Sequence, residues 1–121
     1  MTLVLVVVGG AVGAPLRYLT DRWIQSVHDS VFPWGTLTVN VGGSLLLGAV
    51  AGAVTVGAPH ETLDLVGTGF CGALTTFSTF GYEVVRLVEE GSWLAAALNA
   101  AASIGVGLLA CAAGWSLATA F

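Results

Sequence analysis

Charge is what this sequence most lacks. Only 8% of its 121 residues are charged, against roughly a quarter in an ordinary soluble domain. Lysine is absent, and the three cations are Arg17, Arg22 and Arg86, set against seven acids. No run of like charge exists, which leaves nucleic acid without a surface to bind. Cysteine is scarce too. Cys71 and Cys111 each sit in an apolar run and read as small buried hydrophobes. No CxxC or HExxH spacing occurs, and His28 and His60 fall in separate connections, so a histidine–cysteine metal cluster has no support. An enzyme is not expected, because no nucleophile–base set is visible.

What is abundant is apolar. Hydrophobic residues make up 56% of the chain, with a mean hydropathy of +0.93. A membrane-crossing helix needs about 20 mostly apolar residues. The pattern predicts four, over about 3–20, 35–56, 63–88 and 93–120, in one all-α domain covering 1–121. The first apolar run lacks a basic leader and reads as a retained span rather than a cleaved signal. Pro33, Pro59 and Gly91 punctuate the three connections. Trp23, Trp34 and Trp93 flank connections on one face and Trp115 lies near the other, as an aromatic belt would. All three arginines fall on the side of the first and third connections. The positive-inside rule puts that side in the cytoplasm and both termini outside.

Two helical stripes run through the apolar spans. Thr36, Asn40, Ser44, Gly48 and Gly52 recur every fourth residue, as do Asn99, Ser103, Gly107 and Cys111. Residues four apart share a helix face. Two readings fit: a close-packed helix seam with scattered interhelical hydrogen bonds, or a polar track for an ion. Glu83, inside the third span, is either an interfacial acid or a group facing a water-filled vestibule. Arg17 reaches an interface or caps a neighbouring helix end.

The third span carries the least apolar stretch, GALTTFSTF at 72–80. Gly67, Gly69 and Gly72 weaken a helix just before it. Thr75 and Thr76 can bond their own backbone. A break near the midplane follows, with GALTT as the break and FSTF as the turn after it. In lipid, freed carbonyls must find partners inside the protein, and such breaks hold ions in transporters. Phe77 and Phe80 share a face. They are either packing residues or, with the hydroxyls, a donor-type surface of ring edges suited to a small hard anion.

GGAVGAPLRY at 9–18, GTLTVNVGGSLLLG at 35–48 and GTGFCGALTTFSTFGYE at 67–83 resemble signatures of the small fluoride channels, the Fluc or CrcB family. That resemblance implies an antiparallel dimer of four-span subunits in the cell membrane, with two fluoride pathways that passively relieve cytoplasmic fluoride. It also implies a structural Na+ at the dimer centre, held by backbone carbonyls of Gly72 and Thr75. Asn40, Phe77 and Phe80 would line the fluoride path, with Ser78 and Thr79 on the polar track. Ser103 and, less fittingly, Cys111 would extend it, and Glu83 and Arg17 stand nearby. The arginine bias departs from a dual-topology homodimer and suggests pairing with an oppositely oriented paralogue. A small multidrug transporter is disfavoured because residues 3–20 hold no acid. An ion-coupled transporter using the break and a non-conducting packing subunit are the other readings.

Overall fold

The computed structural model describes residues 2–28 and 32–120. Helix α1 is Thr2–Val27 and α2 is Trp34–Thr55. A short α3, His60–Thr62, leads into a π-helical segment, Leu63–Cys71, and a single turn α4, Gly72–Leu74. After a non-helical step come α5, Ser78–Glu89, and α6, Trp93–Ala120. Three of these, α1, α2 and α6, are long and apolar enough to cross a membrane. The third hydrophobic region is divided among shorter pieces.

Two connections are closed by glycine. Gly57 and Gly91 have φ of 121° and 80°, the left-handed conformation that a Cβ disfavours. At each, two backbone bonds tie the residues past the helix to its last turn: Ala58 N to Ala53 O at 3.0 Å with Gly57 N to Val54 O at 3.3 Å, and Ser92 N to Leu87 O at 2.8 Å with Gly91 N to Val88 O at 3.0 Å. This is the Schellman arrangement. The second folds α6 back tightly along α5.

Two boundaries differ from the sequence reading. The first helix continues to Val27 instead of stopping near Thr20. Asp21–Val27 contains charges but no proline or glycine, and charge alone does not stop a helix. The break also covers only the end of GALTT, Thr75 and Thr76, and runs on to Phe77: Gly72–Leu74 is still helical, and the non-helical residues are 75–77. The glycines before it widen the helix rather than ending it. Such wide turns are rare and usually mark functional positions.

Glycine sets the helix contacts. A Cβ on Gly9 would strike the Leu65 carbonyl, and one on Gly13 the Phe70 carbonyl, so α1 lies against the π-helical segment backbone to backbone. A Cβ on Gly48 would strike the Cys111 carbonyl, and one on Gly114 the Leu45 carbonyl. Gly52 meets Trp115, and Gly107 approaches Ser44. In three of these α2–α6 contacts (Ser44–Gly107, Gly48–Cys111, Gly52–Trp115) the partners stand 63 positions apart, so the two helices run parallel. The two sequence stripes therefore face one another, and over Gly48 to Gly52 they form a packed seam. Meanwhile many large apolar side chains point outward, among them Leu3, Trp23, Leu94 and Leu109, each more than 60% exposed. That surface suits lipid or another apolar partner.

Gly48→Leu is expected to force α2 and α6 apart at a cost of at least ~1–3 kcal/mol. A melt of the purified protein should show a lowered transition or no folded peak. Gly105→Ala, where no atom lies within 4 Å of the added Cβ, should leave the melt unchanged or slightly raised.

Candidate functional site: the broken helix

The break has its own hydrogen-bond economy. Thr75 is extended (φ −81°, ψ 159°). Its hydroxyl donates back to the Cys71 carbonyl at 2.9 Å, and its N–H to the same carbonyl at 3.0 Å. Those bonds finish the first half of the helix. The carbonyls of Gly72, Ala73 and Leu74 accept no backbone hydrogen bond from the residues that follow.

Asn40 of α2 holds the next residue from both sides. Its Nδ2 donates to the Thr76 carbonyl at 2.9 Å, and its Oδ1 accepts the Thr76 N–H at 2.7 Å. One side-chain amide thus replaces the two backbone bonds that Thr76 loses by leaving the helix. Unpaired backbone groups in an apolar setting are costly, so the pairing fixes where the break stands. It also occupies Asn40 Oδ1 and one Nδ2 hydrogen.

The second half then starts on hydroxyls. The Thr79 N–H donates to Thr76 Oγ1 at 3.2 Å, satisfying a donor in the first turn of α5. Thr76 Oγ1 donates to Thr79 Oγ1 at 3.1 Å and lies 3.4 Å from Ser78 Oγ. Ser78 and Thr79 are exposed. The Phe77 and Phe80 rings are 5.8 Å apart and tilted at 47°, with Phe77 83% exposed. This spacing is that of an interacting aromatic pair.

Two hollows flank the break. A cleft of about 470 Å³ between α2 and the broken helix is lined by Asn40, Ser44, Gly72, Thr75, Thr76 and Phe77, among others. A smaller one of about 220 Å³ is lined by Arg17, Asp21, Thr36, Thr76 and Thr79, among others. Thr76 belongs to both, so the Asn40–Thr76 pairing stands between them. Arg17 Nη1 approaches the Thr75 carbonyl at 3.5 Å, placing a cation at the C-terminal end of the first half-helix.

The structure thus gathers Asn40, Gly72, Thr75 and Phe77 at one cleft, with Ser78, Thr79 and Phe80 on the adjoining turn and Arg17 behind it. Glu83 and Ser103 lie elsewhere. Glu83 is buried on α5, and Ser103 donates to Asn99 Oδ1 at 3.3 Å on its own helix. Cys111 packs at the α2–α6 seam. Thr76 joins the site although the sequence pattern does not single it out as a site residue. Its sequence signal is its place directly after Thr75 and two residues before Ser78, where helix gives way. Asp21, expected in the first connection, lines the smaller hollow.

Asn40→Ala should strand both Thr76 backbone groups at a cost of roughly 1–3 kcal/mol each. The melting transition should fall by several degrees. Asn40→Asp keeps the acceptor for Thr76 N–H but turns an oxygen on the Thr76 carbonyl, and should not restore it.

Comparison with known proteins places this architecture. Residues 4–115 match the family model described as CrcB-like protein, Camphor Resistance (CrcB). The chain is 56% identical to fluoride-specific ion channel FluC 1 of Frankia casuarinae, over 99% of this chain and 98% of that protein. It is 56% identical to FluC 1 of Streptomyces avermitilis, over 94% and 93% of the two chains. Against FluC 2 of Rhodococcus jostii the identity is 44%, over 97% and 98%. With its apolar crossing helices and broken third region, this multi-pass membrane protein is a member of the CrcB-like family.

Proposed function

We propose that this chain is the subunit of a fluoride-specific channel that lets fluoride leave the cytoplasm passively. The observation that carries the reading is the turn after the break. There, two phenylalanines and three hydroxyl side chains gather beside Asn40, with no lysine or arginine in the turn to hold an anion too tightly. The names of the relatives support the same ion. Phenylalanine edges carry partial positive charge, and hydroxyls can turn their hydrogens toward an anion. Asn40 serves chiefly to position the turn, with one Nδ2 hydrogen left for the path.

The working unit in this reading is an antiparallel dimer. The about 470 Å³ cleft lies open on the side of a single chain, and Phe77 projects from it. A two-fold partner would cover both. The carbonyls of Gly72 and Thr75 would then meet their copies around one Na+. The donor set fits a hard cation: among the described residues Gly72 O accepts no backbone hydrogen bond, and Thr75 O, although approached by Arg17, keeps a second lone pair. When bound, the ion would offset the field of passing anions. The arginine asymmetry favours a partner that is an oppositely oriented paralogue.

Liposomes loaded with fluoride or chloride test the function. Fast fluoride loss without chloride loss is expected, slowed by Phe80→Ile. Strict dependence on a Na+ or H+ gradient would instead indicate a coupled transporter. Swapping all Na+ for a bulky organic cation on both sides should lower the activity and the melting transition together. For the partner, expression of this chain alone in a host lacking fluoride export should give weak rescue. Robust rescue would mean that a homodimer suffices.

A further inference from the structure

Among the described residues, three polar side chains are buried: Thr36 at 2% exposure, Glu83 at 7% and Asn99 at 1%. They come from three different helices, and the packing brings them to one level. The 63-position offset between α2 and α6, read from Ser44–Gly107, Gly48–Cys111 and Gly52–Trp115, sets Thr36 beside Asn99. The α5–α6 hairpin does the same for Glu83. Leu87 and Ala96 are its buried residues nearest the turn. Glu83 lies one turn before Leu87, and Asn99 one turn after Ala96. The Thr36 hydroxyl stands beside the Glu83 carboxylate.

This cluster is incomplete. Among the described residues, Glu83 Oε1 and Asn99 Nδ2 are both buried without a hydrogen-bond partner, as are Asp21 Oδ1 and Arg86 Nε. Asn99 Oδ1 is already taken by Ser103 at 3.3 Å. Neither nearby charge closes the gap: Arg86 Nε, 3.9 Å from Glu90 Oε1, makes no hydrogen bond among the described residues, and Asp21 adds a second negative charge near Glu83. A buried acceptor and a buried donor are thus brought to one level of the packing. A bare anion there would be repelled by the carboxylate, and a cation would meet the amide hydrogens. Water suits both, donating to Oε1 and accepting from Nδ2, with the Thr36 hydroxyl as a third neighbour.

We propose that a buried water joins Glu83 Oε1 to Asn99 Nδ2, and that Asn99 is a positioning residue which, through this water, fastens α5 to α2 and α6. Phe80 lies one turn before Glu83 on α5, so the water also fixes the aromatic pair's second ring. That consequence for conduction rests on the channel reading; the tie between the helices does not.

The test is a double-mutant cycle with wild type, Asn99→Asp, Glu83→Gln and the double variant, read by melting and by fluoride efflux from liposomes. Asn99→Asp places two carboxylates on one water and should slow efflux about tenfold and lower the melt. In the Glu83→Gln background the polarity of the bridge is reversed, with an amide donor at 83 and an acceptor at 99. There Asn99→Asp should change efflux by less than about twofold and leave the melt near that of Glu83→Gln. Equal losses in both backgrounds would overturn the proposal. If Asn99→Asp alone does not fold, the double variant decides: folding like Glu83→Gln supports the bridge, and failing to fold overturns it. Absent efflux in the wild type would sink the channel reading while the melting arm still decides this one.

Discussion

Everything at the centre of this protein depends on one side-chain amide. A helix that stops inside a membrane exposes backbone groups with no water to receive them. Asn40 takes both groups of Thr76, donating at 2.9 Å and accepting at 2.7 Å. Without that pairing, continuing the helix would be the cheaper course. With it, the chain can turn, end its first half on the Thr75 hydroxyl and start its second on the Thr76 hydroxyl. The exposed carbonyls, the aromatic pair and the two hollows are consequences of the break.

Rigid surroundings make the amide effective. Asn40 sits on α2, and α2 is packed against α6 through glycines that allow the backbones to touch. The first half of the broken region is held the same way, by Gly9 and Gly13 of α1. Close backbone packing is how membrane helices associate where no hydrophobic force drives them together. The glycines thus hold both sides of the break, and Asn40 bridges it. The Thr36–Glu83–Asn99 cluster extends the same logic to α5, whose first turn carries Phe80.

Much of this was legible in the residues, for physical reasons. Apolar length set α2 and α6 to within a residue of their observed ends, because span length is fixed by lipid thickness. Local chemistry was weaker at boundaries. Asp21 and Arg22 looked like the start of a connection, yet the helix carries them to Val27. The glycines at 67, 69 and 72 suggested an earlier break. They yielded a wide helical turn instead, because what ends the helix is a tertiary contact from Asn40, 36 residues away. Periodicity put Thr36 and Asn99 on stripes but could not say that the stripes face each other in parallel. That required the packing of Gly48 on Cys111.

The central claim is that Asn40 secures the break. It is tested most directly by amide hydrogen exchange at Thr76 in lipid. Thr76 lies outside every helix, so on secondary structure alone its N–H should exchange as fast as an open turn. With Asn40 holding it, the Thr76 N–H is expected to be protected like a helical amide in the wild type and to lose protection in Asn40→Ala. Fast exchange in the wild type, or equal protection in both, would contradict it.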